Sequence, residues 1–248
     1  MTLPRLYDDL AYLWPLLSPP EHYEAEAAVL IELIDQYCQA EVDQPLSVLE
    51  LGAGGGHTLV HLVERFDCTA VDLSAPMIGH CQRLVPEATA VIGDMRSVRL
   101  EKTFNAVFIH DAIDYMLSEQ DVRATLNTAA AHLKPGGLCV IAPTYTRENF
   151  VDGDVADDGT TTDNEELTYF TYVHDADPAD DIFEMILLYL IRDAETRTVE
   201  VVEDRHMCGL FTNAQWVQWM TDAGFNARHV EQDLGYDEPW TLFVGVKA

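Results

Sequence analysis

A glycine-rich turn preceded by an acidic residue is the first feature of the sequence that could do chemistry. Residues 48–57 read Val-Leu-Glu-Leu-Gly-Ala-Gly-Gly-Gly-His. Such a turn between a strand and a helix lets a ligand approach backbone N–H groups closely. A phosphate-binding P-loop needs Gly-Lys, which the chain lacks, and a dinucleotide fingerprint needs glycine where His57 stands. The acidic Glu50 would oppose a pyrophosphate and favours a ligand that presents an amine or another cation.

Two further acidic residues follow the next two predicted strands. Asp72 lies twenty residues after Gly52 and is followed by Leu73, and a carboxylate at this position can accept both hydroxyls of a ribose. The third predicted strand ends in the sequence Gly93-Asp94-Met95, where a carboxylate can accept from an adenine amine beside an apolar side chain. Each residue considered by itself has a structural alternative. Asp72 is then a helix cap, and Asp94 is a turn residue. Together the three strand ends predict one nucleoside-binding edge.

Two residues after later strands are candidates for catalysis. His110 follows the fourth predicted strand, and because histidine titrates near neutrality it is the first candidate general base. A structural role or a contact with the cofactor is the alternative for His110. Tyr145 follows the fifth strand and is predicted to face the same cavity, with simple packing as the alternative.

The elements that position these residues alternate between strands and helices. The predicted strands are residues 47–51, 69–73, 88–92, 104–109 and 138–142, and the predicted helices between them are residues 55–66, 75–85 and 120–133. This alternation implies parallel strands joined by right-handed crossovers, and therefore an α/β fold with a doubly wound sheet. A later helix at residues 212–223 and closing strands at 225–230 and 240–246 complete the core.

The two remaining regions differ from this core in their predicted secondary structure. Residues 1–40 are predicted to be helical, with a break at Ser18-Pro19-Pro20. Residues 146–205 are predicted to be an insertion, in which an acidic, solvated loop at 152–166 precedes an antiparallel β-meander at 167–174, 182–192 and 198–205. We expect a single domain over residues 1–248, with the cofactor-binding core at 46–142.

The charge balance excludes several classes of function. Asp and Glu number 43 against 14 Lys and Arg, which gives a formal net charge of −29. A chain this acidic repels phosphate backbones and anionic lipids, so neither nucleic acid nor a membrane is expected as a partner. The five cysteines form no CxxC pair, and no signal peptide is recognised, so a cytoplasmic protein is expected. The excess of acid also suggests adaptation to high salt, with an ordinary acidic enzyme as the equal alternative.

These motifs resemble those of the class I S-adenosylmethionine-dependent methyltransferases. The resemblance covers residues 46–142, and it includes the glycine-rich motif with its acidic residue and the turn Leu133-Lys134-Pro135-Gly136-Gly137-Leu138 before the fifth strand. The family fold implies a mostly parallel seven-stranded, Rossmann-like sheet in which only the last strand, residues 240–246, is antiparallel to its neighbours. Within the class, the helical N-terminal lid and the meander resemble small-molecule methyltransferases, with amino-sugar and small-amine N-methyltransferases as the nearest group.

The resemblance implies S-adenosylmethionine as cofactor and assigns roles to particular residues. The cofactor-binding residues are expected to be Tyr23, Glu50, Gly52, Ala53, Gly54, His57, Asp72, Leu73, Met77, Gly93, Asp94, Met95 and His110. The substrate pocket is expected to include Tyr7, Tyr172 and His206. Tyr7 and Tyr23 resemble lid tyrosines that cover the cofactor in related enzymes, and packing against the core is the alternative for both tyrosines and for Tyr172. His57 and His61 have the spacing of a metal pair, but the cofactor occupies that turn in the family, so no metal is expected.

The expected reaction is in-line methyl transfer to N or O of a small-molecule acceptor, with N slightly favoured. Collinear positioning of nucleophile, carbon and sulfur can supply much of the acceleration. An NAD-dependent oxidoreductase is the first alternative, disfavoured by His57 and by the Gly93-Asp94-Met95 loop. A non-catalytic module that binds S-adenosylmethionine is the second. The protein is expected to be a monomer or a homodimer.

Overall fold

Two β-sheets organise the protein, whose computed structural model describes residues 3–40, 45–162, 165–235 and 239–248. The strands are β1 Ser47–Leu51, β2 Asp67–Asp72, β3 Thr89–Ile92, β4 Phe104–Ile109, β5 Leu133–Ile141, β6 Val155–Thr161, β7 Glu165–His174, β8 Ile182–Asp193, β9 Val199–Gly209, β10 Phe225–Gln232 and β11 Trp240–Lys247. The larger sheet has seven strands in the order β10-β11-β5-β4-β1-β2-β3. Strands β1 to β5 pair in parallel, and β11 is antiparallel to both of its neighbours, which confirms the predicted fold class.

Helices cover both faces of this sheet. They are α1 Trp14–Leu17, α2 Glu24–Tyr37, α3 Ala75–Leu84, α4 Glu119–His132 and α5 Asn213–Asp222. Leu30 and Ile34 of α2 pack on one face, while Leu126 of α4 and Trp216 of α5 pack on the other. The central strands are apolar along their length because both of their faces are buried. Among the described residues, every helix falls short of the length and apolar character that a membrane span requires.

The start of α5 shows how local sequence fixes a boundary. Thr212 is the N-cap, its hydroxyl accepts from the Gln215 backbone N–H, and the Gln215 side chain accepts from the Thr212 backbone N–H. This capping box satisfies two donors that the first turn would otherwise leave unpaired. Gly224 follows the helix with a φ of +94°. The helix predicted over residues 212–223 is confirmed, with Thr212 as its N-cap and Gly224 directly after its end.

The second sheet is antiparallel and has the order β6-β7-β8-β9. Its inner face packs against the N-terminal segment, where Leu6, Leu10 and Leu13 form a cluster with Tyr189 and Ile191 of β8. The sheet therefore holds the N-terminal segment against the rest of the molecule.

The structure corrects three expectations about local elements. The expected acidic loop contains β6, which pairs with β7, so the meander has four strands; Asp163 and Asn164 of that loop lie outside the described residues. An edge strand tolerates such charges because they discourage pairing with another chain. Residues 7–17 form short 3-10 helices and α1 rather than one helix, since Pro15 interrupts the backbone hydrogen bonds.

The third correction concerns residues 55–66. The expected helix is a series of turns with one 3-10 helix, Leu59–His61. Gly56 has a φ of +82°, outside the helical region, and the β-branched residues that follow have a low helix propensity. Backbone bonds in this segment alternate between three-residue and four-residue spacing, as in His61 N–H to Thr58 C=O and Val63 N–H to Leu59 C=O.

Candidate active site

A cavity lies at the carboxyl ends of β1 to β4, beneath the N-terminal segment. Its empty volume, including the open mouth, is about 920 Å³. Parallel strands bring their carboxyl ends to one edge, which is where open α/β sheets bind ligands. The residues that line it are Leu3, Pro4, Tyr7, Trp14, Tyr23, Glu50, Gly52, Ala53, Gly54, Gly55, His57, Thr58, Asp72, Leu73, Gly93, Asp94, Met95, Arg96, His110, Asp111, Ala112, Tyr115 and Met116.

The glycine-rich turn lets the backbone reach the cavity floor. Gly52 has a φ of +79°, and a Cβ at this position would lie 2.2 Å from the Cβ of Ala112. The backbone N–H groups of Gly52 and Ala53 both donate to the carbonyl oxygen of Val71, at 2.7 and 3.0 Å. A side chain at Gly52 would therefore force the turn away from the loop after β4.

Glu50 presents a buried carboxylate to this cavity. Its Oε2 atom has no hydrogen-bond partner among the described residues. Burial raises the pKa of Glu50 to about 8. A buried carboxyl group with a free oxygen fits a cationic or hydrogen-bond-donating ligand, because such a ligand would supply the missing partner. The amino group of S-adenosylmethionine has this chemistry.

Asp72 ties the end of β2 to the glycine-rich turn. Its Oδ2 accepts from the Gly54 backbone N–H and its Oδ1 accepts from that of Ser74, both at 2.8 Å. Burial raises the pKa of this carboxyl above its usual value, although both backbone donors oppose the shift. A carboxylate has about four acceptor positions, so each oxygen can accept one more bond. The predicted ribose contact therefore fits the geometry.

Asp94 is engaged by a residue that the sequence patterns did not single out. Arg96 Nη2 lies 2.6 Å from Asp94 Oδ2, and Arg96 Nε lies 3.0 Å from Asp94 Oδ1. The same guanidinium reaches Asp121 Oδ1 of α4 at 3.0 Å. The Arg96 hydrogen bond is the largest cause of the lowered pKa of Asp94. Asp94 therefore stays ionised and keeps acceptor capacity for an adenine amine, while its position is fixed by Arg96.

His110 lies between two carboxylates. Its Nε2 is 3.2 Å from Glu26 Oε2 and its Nδ1 is 3.5 Å from Asp111 Oδ1. Burial lowers the pKa of His110, but the charges and hydrogen bonds of Asp111 and Glu26 outweigh it and raise that pKa well above the usual value. The imidazole is therefore already protonated at neutral pH. This environment disfavours the predicted role of His110 as general base and favours a role as a fixed cation.

Three aromatic residues of the N-terminal segment line the cavity. Tyr7 and Tyr23 lie where the sequence placed them, and the Tyr23 hydroxyl is 2.6 Å from Ser18 Oγ. Trp14 was missed, and its indole lies against the glycine-rich turn, 3.8 Å from a Cβ built on Gly54. The sequence feature that could have identified Trp14 was the presence of a large aromatic residue in the predicted lid.

Four of the expected site residues lie outside the lining. Tyr145 packs against Phe150 and Phe183, with ring centroids 5.5 Å away in each case. Tyr172 is 38% exposed on β7. Met77 is fully buried within α3, and His206 lies behind the lining, where its Nδ1 is 2.7 Å from Tyr115 Oη.

Tyr115 was missed, and Asp111 was assigned no role, although both follow β4 closely in a 3-10 helix, Asp111–Tyr115. Their distance along the chain from the end of β4 was the signal that could have found them. His57 accepts from Trp14, and His61 contacts the Pro20 carbonyl, so the two histidines do not act as a pair. Within the described ranges, no three metal-ligating side chains lie together. The absence of a metal stays a prediction.

Comparison with known proteins supports the same interpretation. A family model described as a methyltransferase domain matches residues 48–137. The chain is 29% identical over 243 residues to dTDP-3-amino-3,4,6-trideoxy-alpha-D-glucopyranose N,N-dimethyltransferase of Streptomyces venezuelae, covering 97% of this chain and 96% of the relative. It is 30% identical over 222 residues to dTDP-3-amino-3,6-dideoxy-alpha-D-glucopyranose N,N-dimethyltransferase of Streptomyces fradiae, covering 88% and 84%.

Solved structures agree with these relatives in fold. The crystal structure of DesVI from Streptomyces venezuelae has a TM-score of 0.82 at 28% identity and covers 97% of this chain and 98% of its own. The sugar N-methyltransferase KedS8 from Streptoalloteichus has a TM-score of 0.83 at 26% identity, with 100% and 94% covered. The sequence motifs, the cavity and these relatives together show that the chain belongs to the class I S-adenosylmethionine-dependent methyltransferases of small-molecule type, and that it transfers a methyl group from S-adenosylmethionine to a small-molecule acceptor.

Proposed function

We propose that the methyl acceptor is the amino nitrogen of an amino sugar. The observation that carries the proposal is the acidic lining of the cavity, to which Asp72, Asp94 and Asp111 contribute carboxylates and Glu50 a buried carboxyl group. Arg96 and His110 are the cations of the described lining, and each lies between two carboxylates. An acidic cavity attracts an amine and repels an anionic nucleophile. Two relatives are named as N,N-dimethyltransferases of nucleotide-linked amino sugars, which supports the same acceptor class.

The residues of the chain supply binding, orientation and the exclusion of water. The bound cofactor supplies an electrophilic methyl group. Glu50 and Asp72, at the carboxyl ends of the adjacent strands β1 and β2, would hold its amino group and its ribose. Tyr7, Trp14 and Tyr23 line the same cavity. Fixing the nucleophile in line with the carbon gives effective molarities of about 10⁵–10⁸ M, so positioning supplies much of the rate.

A matched pair of acceptors tests the proposal. The enzyme is incubated with S-adenosylmethionine and either an amino sugar or the sugar with hydroxyl in place of the amine, each free and linked to a nucleoside diphosphate. Mass spectrometry counts the methyl groups added. We expect mass gain on the amino sugars only. Methylation of the hydroxyl sugars at an equal or greater rate would overturn the assignment, and the nucleotide-linked arm shows which form of the sugar is used.

We also propose that the enzyme works in the cytoplasm as a monomer or homodimer. All five cysteines are free, which fits a reducing compartment. Sedimentation of the purified protein measures the number of subunits.

A further inference from the structure

Four neighbouring strands of the larger sheet each bring one acidic residue to the cavity. In the sheet order β4-β1-β2-β3 these residues are Asp111, Glu50, Asp72 and Asp94. The expected cofactor contacts use the last three, with the amino group at Glu50, the ribose at Asp72 and the adenine at Asp94. Asp111 is the acidic residue of the lining that these contacts leave without a role, and its strand is the neighbour of β1 on the side away from the ribose and adenine positions.

Asp111 is a charged carboxylate with capacity for a ligand. Its side chain is half-exposed, and its Oδ1 atom lies 3.5 Å from His110 Nδ1. The cavity walls remove water from Asp111, which raises its pKa, but the charge and hydrogen bond of His110 and the backbone N–H of Ala112 outweigh this effect and lower that pKa. Asp111 is therefore ionised at neutral pH. A carboxylate has about four acceptor positions, so these two donors leave room for a third.

Tyrosine side chains share the cavity with this charge. Tyr7, Tyr23 and Tyr115 all belong to the lining, and the rings of Tyr7 and Tyr115 meet edge to face with centroids 5.6 Å apart. Burial raises the pKa of Tyr7 and of Tyr23, and the charge of Asp111 is the second cause for both, which agrees with its place beside them. Aromatic rings and a carboxylate both attract positive charge, so the space beside Asp111 suits an ammonium group.

We propose that Asp111 binds the acceptor nitrogen and is a catalytic residue of the methyl transfer. The inference rests on the proposed function, since it takes the acceptor to be an amine. The Asp111 carboxylate accepts an N–H of the neutral amine, which leaves the nitrogen lone pair free to attack the methyl carbon. His110 fixes the carboxylate through its contact with Oδ1.

The step balances without a base in the protein. The nitrogen lone pair forms the N–C bond as the C–S bond breaks, and the electron pair of the broken bond stays on sulfur. Positive charge thus moves from sulfur to nitrogen, and the ionised Asp111 stabilises it where it develops. The product leaves as a methylammonium ion and releases its proton to water. Because its pKa is lowered, Asp111 is a weak base, and its role is electrostatic.

The other acidic residues of the lining fit this role less well. In the ligand-free protein Glu50 is mostly protonated near pH 7, since burial raises its pKa to about 8. Asp94 is already bound by Arg96, whose Nη2 lies 2.6 Å from Asp94 Oδ2. Asp72 holds the glycine-rich turn through a backbone N–H. Asp111 therefore combines a charge at neutral pH with a place beside the expected cofactor contacts.

Two asparagine variants form a matched test. Asp111→Asn keeps the shape of the side chain and removes its charge. Asp67→Asn is the control, because the side chains of Asp67 and Asp111 are both 48% exposed and each contacts a cation, Lys102 in the case of Asp67, which lies at the opposite end of β2 from the cavity. Asp111→Glu restores the charge on a longer side chain. Thermal unfolding of each variant checks that it folds.

Calorimetry with S-adenosylhomocysteine bound compares an amino sugar with its hydroxyl counterpart. We expect Asp111→Asn to bind the amino sugar about 10- to 100-fold more weakly, the usual effect of losing a hydrogen bond to a charged group, and the hydroxyl sugar to be affected less. The kcat for the amine should fall about 100-fold, with part of it recovered in Asp111→Glu. Asp67→Asn should match the wild type. The Kd of S-adenosylhomocysteine, which lacks the sulfonium charge, should stay the same in every variant.

Unchanged binding and turnover of the amino sugar in Asp111→Asn would overturn the assignment of Asp111. Equal weakening for the two sugars, an equal loss in Asp67→Asn or a matching loss of S-adenosylhomocysteine affinity would overturn it as well. A wild-type enzyme that methylates the hydroxyl sugar and no amine would instead refute the proposed acceptor. The comparison of Asp111→Asn with Asp67→Asn on the hydroxyl sugar would then decide separately whether Asp111 contacts the acceptor.

Discussion

The Trp14 indole donates a hydrogen bond from Nε1 to Nδ1 of His57 at 2.9 Å, and the two rings stack with an interplanar angle of 9°. An indole N–H only donates, so His57 carries its proton on Nε2. Burial lowers the pKa of His57 to about 4, and the ring is therefore neutral near pH 7. This pair attaches the N-terminal segment to the glycine-rich turn at the place where the cofactor is expected.

Replacing Trp14 by Phe should weaken cofactor binding. The variant keeps most of the ring stacking but loses the hydrogen bond to His57, which is worth about 1 kcal/mol, or a factor of about 5 in Kd. Isothermal titration with S-adenosylmethionine measures the change. Asp9→Asn is the control, since it only breaks an exposed ion pair with Arg5 in the same segment and should have little effect. Equal affinities for Trp14→Phe and the wild type would contradict a lid that closes on the cofactor.

Replacing Asp72 by Ala should also weaken cofactor binding, by about 1–3 kcal/mol, the usual loss for hydrogen bonds to a charged group. The reason is twofold, because Asp72 is the predicted ribose acceptor and also binds the Gly54 N–H. Asp67→Asn, at the opposite and exposed end of β2, should leave the affinity unchanged. An unaltered Kd in Asp72→Ala would remove the ribose assignment.

The affinity for the cofactor should rise with pH through the titration of Glu50. Without ligand, the pKa of Glu50 is raised to about 8, so the group is mostly protonated at pH 7. A cationic ligand favours the ionised form and lowers the pKa in the complex, so binding releases a proton. The Kd should therefore fall as pH rises towards 8, by about tenfold per unit at most, and then level off. Binding titrations of the wild type and of Glu50→Gln at several pH values give the slope of log Kd against pH for each protein. The same slope in both would refute the assignment of Glu50.

Stability of the ligand-free protein should change in the opposite direction. Glu50 and Asp114 both have a folded pKa raised to about 8 by burial, above their unfolded values. The contribution of these two carboxyl groups to the free energy of unfolding is fully present below their unfolded pKa, near 4. It is lost as the pH rises through their pKa in the folded state. Thermal unfolding should therefore show a Tm that falls between about pH 5 and pH 8. Glu50→Gln should flatten part of this fall, and an identical profile would show that Glu50 does not titrate in this range.

His110→Ala should slow turnover while leaving cofactor affinity nearly intact. His110 lies between the half-buried Glu26 and the half-exposed Asp111, so its removal leaves two carboxylates unpaired beside the acceptor space. Measurements of kcat and of the S-adenosylmethionine Kd separate the two effects. Equal losses in both would instead make His110 a cofactor contact.

Salt should stabilise the protein if its acidity reflects a saline habitat. A net charge of −29 produces self-repulsion that salt screens over a Debye length of about 3 Å at 1 M. Unfolding and activity measured between about 0.05 and about 2 M salt check this expectation. Unchanged values across that range would remove the idea of adaptation to salt.

The sequence by itself determined the sheet and the acidic edge of the cavity. Alternating apolar runs and helical patterns predicted parallel strands, and parallel strands bring Glu50, Asp72 and Asp94 to one edge whatever the packing of their side chains. This follows from backbone geometry, which a short stretch of sequence is enough to specify.

Only the tertiary structure decided which side chains meet. Arg96 reaches Asp121 across 25 positions, and the backbone of Arg5 reaches Asp204 across 199. No periodic pattern marks such pairs, because they depend on how the second sheet and the N-terminal segment pack against the core. The surroundings of His110 were hidden for the same reason, since the charge of an imidazole depends on neighbours that folding brings from distant elements.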